Sequence, residues 1–363
     1  MREPTPLHDI ERAAGAGFAE VAGWLVPVRY GDATAEYERA RGSAALFDIS
    51  HRGKVELGGS DVPSFVHNLS TNDVLNLPLG AGCEAFFTTA KAKVIAHALV
   101  YHVRIAGGRD ALWLDVAPGQ ATPLIQHLDH FLIAEQVEMA DRTADFAQFH
   151  LAGPRAKEVL ERALGEPVPD LGPLQHMERT FGEHATCHVR RHDPLGLPGY
   201  DLVCLTARAV DVWQRLTAAG AGLAGLDAYE VLRVEAGTPV YGADIDENRF
   251  VVEVGRTDAI CYTKGCYLGQ EPIVMARDRA GHVNRTFRGL KLSAGGVVPA
   301  GARLITPEGK DVGVVTSSVV SPRLGPIALA YIRRGSDQPG TALEVEPAGG
   351  GHTAVVAELP MTA

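Results

Sequence analysis

Residues 263–288 read TKGCYLGQEPIVMARDRAGHVNRTFR, which puts a thiol, an amine, an amide, a carboxylate and several guanidinium groups into one short stretch. Pro272 suits the first turn of a helix, where its missing N–H has no partner to lose, so a helix is expected from there to about Arg277. Cys266 then falls in the loop before a positive helix end, with Lys264 close by. That setting would lower a thiol pKa and expose a nucleophilic or redox-active thiolate. Packing is the competing reading, because free cysteine is among the most buried residue types. Arg277, Arg279, Arg285 and Arg288 either meet an anion such as a glutamate tail or a phosphate, or form a solvated face. Neither Cys261 with Cys266 nor Cys187 with His188 is joined by a second Cys or His pair at ligand spacing, so no metal site is expected.

These groups sit in a chain of 363 residues, 46% hydrophobic and 21% charged, long enough to bury large cores and divide into two or three domains. Its 40 glycines and 22 prolines are dispersed, which favours strands and tight loops over low-complexity structure. A formal charge of −10 argues against a broad nucleic-acid surface and leaves room only for a local basic patch. Five cysteines, odd in number and scattered, point to reduced thiols. No apolar run reaches membrane-spanning length and the first residues lack a signal-peptide core, so a cytoplasmic protein without membrane contact is expected.

Periodicity then places the elements. Residues 8–17 and 34–41 read as helices and 18–30 as extended chain. Residues 54–57 read as a strand, Asp61 as the N-cap of a helix through Leu69, and 86–103 as a hairpin broken by Lys91-Ala92-Lys93. A strand at 111–116 and a helix at 123–132 complete a compact α+β unit. A second unit opens with a strand at 146–151 and a helix at 155–163. It continues with a short strand around Val203 and helices at 209–219 and 227–236. From Phe287 onward short strands punctuated by Gly and Pro predict a separate all-β domain.

The segment 264–271, KGCYLGQE, matches the signature of the YgfZ-type folate-binding proteins, factors of iron–sulfur cluster assembly or tRNA modification. The chain also resembles the glycine-cleavage T-protein (aminomethyltransferase) superfamily almost end to end. The resemblance is carried by PLHD near the start, AGWLVPVRY at 22–30, FDISH at 47–51, LRVEAG at 232–237 and SPRLG at 321–325. It implies an α+β, three-domain cloverleaf: two α+β (ferredoxin-like) units plus a C-terminal β-barrel. The implied domains are 1–50 with 145–283, an inserted 51–144, and a barrel at 284–363. It also implies a channel for tetrahydrofolate or a one-carbon derivative, with Cys266 facing the one-carbon end as the catalytic candidate. Lys264, Gly265, Tyr267, Gly269, Gln270, Glu271, Arg277 and His97 are the implied folate contacts.

Three positions depart from the T-protein pattern. The VIDD-type strand that supplies an acidic residue is Val94-Ile95-Ala96-His97 here, Leu197 stands where a pterin-binding Glu is expected, and Tyr229 stands in place of an Arg. The leading expectation is therefore a folate-binding protein that maintains iron–sulfur proteins without standard aminomethyltransferase chemistry. One cysteine cannot hold a cluster that takes four thiolates, so that role requires a partner. The alternative is a true aminomethyltransferase or demethylase in which His97 or Glu271 replaces the missing carboxylate. A third is a scaffold whose channel no longer takes folate.

Overall fold

The computed structural model describes residues 3–105, 107–293, 296–346 and 352–362. The chain divides into two compact units. The first is formed by residues up to 87, by 96–229 and by 263–267, and the second by 88–95, 230–262 and 268–363.

The first unit is built on two large sheets, beside a three-stranded one of Glu3–Pro4, Trp24–Arg29 and Gly17–Val21. One runs in the order His176–Phe181, Ala185–Arg191, Gly199–Leu205, Phe146–Ala152, Ala45–Asp48 and Gly222–Leu223. Its core-facing side chains, among them Phe149, Leu151, Val189 and Leu202, are fully buried. Helix Ala156–Leu164 covers that core because Ala156, Val159, Leu160 and Ala163 recur at helical spacing on one stripe, and Gly165 at φ +77° closes it in the left-handed region. The other sheet runs Gly82–Thr88, Val94–Ile105, Arg109–Val116, Gly53–Gly58 and Glu138–Asp141. The hairpin expected at 86–103 is present and longer, its strands spanning Gly82–Thr88 and Val94–Ile105. Asp61 does stand before helix Val62–Leu69, but its carboxylate makes no cap bond and accepts from the Gln136 backbone N–H at 2.8 Å instead.

The second unit holds a closed barrel of six strands: Arg285–Leu292, Gly325–Arg333, Asp311–Ser321, Arg303–Ile305, Ala342–Glu346 and Thr353–Ala357. Leu290, Leu304, Ala328 and Ile332 fill its interior. Arg233, on helix Leu226–Ala236, bonds Asp244 Oδ2 at 2.6 Å and Ser317 Oγ at 2.8 Å, all three buried, and so pins that end of the helix to barrel strand Asp311–Ser321. The expected α+β architecture with a C-terminal β-barrel is therefore found. The helix read at 272–277 is corrected. It starts at Gln270, is α-helical to Val274, and widens into a π-helix over Met275–Ala280 that Gly281 ends at φ +64°. Over six residues the side-chain pattern of a π-turn is indistinguishable from that of an α-turn, which is why the sequence showed only a helix.

Candidate functional site

His97, on strand Val94–Ile105, places Nε2 2.5 Å from Oε1 of Glu84 on strand Gly82–Thr88. The imidazole stacks on Phe86 with centroids 4.7 Å apart and planes 22° from parallel, so the ring is fixed in one plane. The His97 side chain is 17% exposed and that of Glu84 8%, which makes a half-sheltered carboxylate–imidazole pair. Nε2 is held by the carboxylate, and no bond is made to His97 Nδ1 among the described residues. Burial pushes the thiol of the neighbouring Cys83 up to about 12, against the opposing charge of Lys264.

Lys264 has a different role from the one expected. Its ammonium donates to the backbone carbonyls of Ser70 at 2.8 Å, Asn72 at 2.7 Å and His67, and lies 4.8 Å from the centre of the Tyr267 ring. Three carbonyls at and beyond the C-terminal end of helix Val62–Leu69 thus saturate the three donors of one ammonium, at the helix end where positive charge is favoured. Asn72 extends the clamp, because its Nδ2 donates to the Glu84 carbonyl at 2.8 Å. The segment 263–267 is in this way tied to the strand that carries Glu84. Lys264 thereby anchors this segment.

The other singled-out residues fall as follows. Cys266 and Gly265 are exposed, which corrects the packing alternative for the thiol, and Tyr267 is buried. Gly269 has φ +82°, and a Cβ there would lie 2.4 Å from Thr88 Oγ1, so only glycine fits. Thr88 Oγ1 also donates to the Leu268 carbonyl at 3.0 Å. Gln270 and the exposed Glu271 border a shallow hollow of about 560 Å³. Arg277 is engaged by Asp278, with Nη2 2.8 Å from Oδ2, and stacks 4.6 Å from the Tyr262 ring centre, while Arg288 donates to the Asp337 carbonyl at 3.0 Å. Two of the four expected anion-binding arginines are therefore already occupied. No group of three or more His, Cys, Asp or Glu residues is placed to hold a metal among the described residues.

The GCVT N-terminal domain model matches residues 7–264, and the glycine cleavage T-protein C-terminal barrel domain model matches residues 285–362. The chain belongs to the glycine cleavage T-protein family. An aminomethyltransferase of Moorella thermoacetica is 32% identical over 362 residues, which cover 98% of this chain and 96% of that one. One of Saccharopolyspora erythraea is 30% identical over 365 residues, covering 98% and 97%. The crystal structure of glycine cleavage system aminomethyltransferase T from Bartonella henselae shares the fold, with a TM-score of 0.89 at 24% identity over 99% of this chain and 98% of that one.

Within the T-protein frame the three departing positions are refilled without charge. Ala96 is buried, Leu197 is a half-buried turn residue, and Tyr229 meets Phe47 edge-on with ring centres 5.5 Å apart and lies 6.0 Å from His150. Charge has instead collected nearby in the first unit. Asp115, fully buried, accepts from Arg52 Nε at 2.6 Å and from Gln148 Nε2 at 2.6 Å, with Arg190 Nη1 3.7 Å away. The Arg190 guanidinium lies 4.2 Å from the centre of the buried Tyr101 ring. Burial opposes the charge on Arg52, but Asp115 holds the guanidinium more firmly protonated than usual. Burial pulls the Lys54 ammonium down to about 8, with Asp115 opposing. Asp201 is shared by His150 at 2.7 Å and His192 at 2.8 Å. Burial pushes its pKa up, yet the two imidazoles hold it well below the ordinary range.

Sequence reasoning missed Glu84 and Asn72. The available signal was a carboxylate inside the otherwise apolar strand Gly82–Thr88, which requires a partner once buried.

Proposed function

We propose that this protein is a folate-dependent one-carbon transferase, of the aminomethyl or methyl type, in which the Glu84–His97 pair replaces the missing strand carboxylate. The observation that carries the reading is the 2.5 Å bond between His97 Nε2 and Glu84 Oε1 on the strand pair where the family pattern expects an acid. Full-length similarity to aminomethyltransferases at 30–32% identity supports the same reading. Alanine at 96 removes a carboxylate from one strand, and Glu84 supplies one from the neighbouring strand. Tetrahydrofolate, when bound, contributes the amine nitrogens that accept a one-carbon unit. A carboxylate–imidazole pair fits a ligand of that kind, because the carboxylate fixes the ring and stabilises positive charge on it while Nδ1 takes or returns a proton. The Lys264 anchor and Asn72 hold the strand that presents Glu84, so that the pair is set before a ligand arrives.

The test is anaerobic turnover of tetrahydrofolate with aminomethyl and N-methyl donors, comparing the protein with His97→Ala. The reading expects tetrahydrofolate-dependent transfer that falls by roughly 10²–10⁴-fold in the variant, the range for loss of a general acid–base group. Absence of transfer by the unaltered protein with every donor would refute it. A second reading, support of iron–sulfur proteins by a folate-binding protein, rests on the exposed thiol of Cys266 within KGCYLGQE. It predicts that Cys266→Ala abolishes function in restoring such proteins while His97→Ala does not. The transferase reading expects transfer to tetrahydrofolate to survive Cys266→Ala and to be lost in His97→Ala.

A further inference from the structure

In the second unit a cleft of about 1160 Å³ gathers Lys93, Arg279, Arg285, Arg333 and Arg334, with Glu253 as the carboxylate among its lining residues. These cations come from three stretches of the chain: the turn between strands Gly82–Thr88 and Val94–Ile105, the π-helix Met275–Ala280 with the first residue of the strand Arg285–Leu292 that follows it, and the end of strand Gly325–Arg333 with the residue after it. None of the four arginines meets a carboxylate within ion-pair distance among the described residues, and all four are exposed. Glu253 does not relieve them by its Oε1, which accepts the Arg285 backbone N–H at 3.2 Å. Arg285 and Arg333 are moreover direct cross-strand partners in the antiparallel barrel. Like charges facing each other at such a pair destabilise a sheet. A chain with net charge −10 has carboxylates in excess, yet none among the described residues pairs with either guanidinium.

We propose that this cleft is a binding site for a small multivalent oxyanion, a ligand carrying several phosphate or carboxylate groups in a row. Guanidinium groups suit both, since each donates two parallel N–H bonds to either oxyanion. The cleft is as large as the roomier small-molecule pockets. Phe250 and His282 are the rings among its described lining residues, and the chain's net charge of −10 disfavours a nucleic acid as the occupant. A π-helix on one wall is a geometry frequent at functional sites. Lys93 is held in place, its Nζ donating to the Asn248 carbonyl at 2.6 Å. The site's lining residues all lie in the second unit, whereas Glu84 and His97 lie in the first.

The test is thermal unfolding of the full chain at low ionic strength, titrated with tripolyphosphate and, separately, with a five-residue oligoglutamate. The expected result is a saturable rise in Tm with at least one probe, reversed by salt. It should be lost in Arg285→Gln/Arg333→Gln, whose Kd rises roughly 100-fold at about tenfold per guanidinium. Both positions are exposed, so the variant folds, and without any anion it should melt above the parent because the cross-strand repulsion is gone. A larger response to tripolyphosphate assigns the site to phosphates, and a larger response to oligoglutamate assigns it to carboxylates. No stabilisation of the parent by either probe, or an equal rise in the double variant, would overturn the proposal.

Discussion

A single oxygen decides what the Glu84–His97 pair can do. Glu84→Gln keeps the shape and a hydrogen-bonding partner for Nε2 but removes the charge that stabilises an imidazolium. It should therefore lower turnover by two or more powers of ten while leaving ligand affinity nearly unchanged. Asp115 makes the opposite kind of contribution. It is fully buried and compensates Arg52 and, more distantly, Arg190, so Asp115→Ala leaves guanidinium charge unpaired and should cost about 3–5 kcal/mol in urea unfolding. A cost below about 1 kcal/mol would show that solvent already screens the pair. The sequence displayed His97 plainly, as a polar residue in an apolar strand, but not its partner. Thirteen positions separate Glu84 from His97, and only the hairpin brings them together.

Among the elements, loop 263–267 is held by Lys264. Removing its ammonium in Lys264→Met strands three carbonyls, and the variant should lose about 1–3 kcal/mol, with faster amide exchange at the C-terminal end of helix Val62–Leu69. Were Lys264 instead an activator of Cys266, the same change would slow thiol alkylation and leave stability untouched. Periodicity revealed most helices and the barrel because their buried stripes are written in Val, Leu and Ala. It did not reveal strands His176–Phe181 and Ala185–Arg191, in which His, Arg, Glu and Thr interrupt the alternation. Their polar residues meet neighbours that no local pattern records, as Arg190 meets the Tyr101 ring. Proximity in sequence within KGCYLGQE suggested a Lys–Cys pair, whereas the fold carries the Lys264 ammonium to three backbone carbonyls.

For the whole molecule, buried titratable groups set a stability maximum near neutrality. Burial lowers His51 and His188 to about 3 and His176 to about 4, so each is neutral when folded and takes up a proton on unfolding below its ordinary value of 6.5. Their contribution is complete above pH 6.5 and is lost as pH falls, with a slope of up to about 4 kcal/mol per pH unit from three protons. Burial raises Glu11 to about 9, with Tyr30 Oη donating to its Oε1 at 2.7 Å. Its contribution is complete below pH 4.5 and is lost as pH rises through 9. Glu11→Gln should flatten the alkaline side of a Tm–pH profile and leave the acid side steep; an unchanged alkaline side would place the titration elsewhere. The central claim is that this T-protein scaffold performs folate-dependent one-carbon transfer through a carboxylate borrowed from the neighbouring strand. The most direct measurement is single-turnover transfer to tetrahydrofolate by the parent and by Glu84→Gln, with the folate Kd of each determined alongside. The account predicts transfer by the parent, a drop of at least 100-fold in the variant, and a similar Kd for both. Equal rates in the two proteins, or no folate-dependent transfer by the parent, would contradict it.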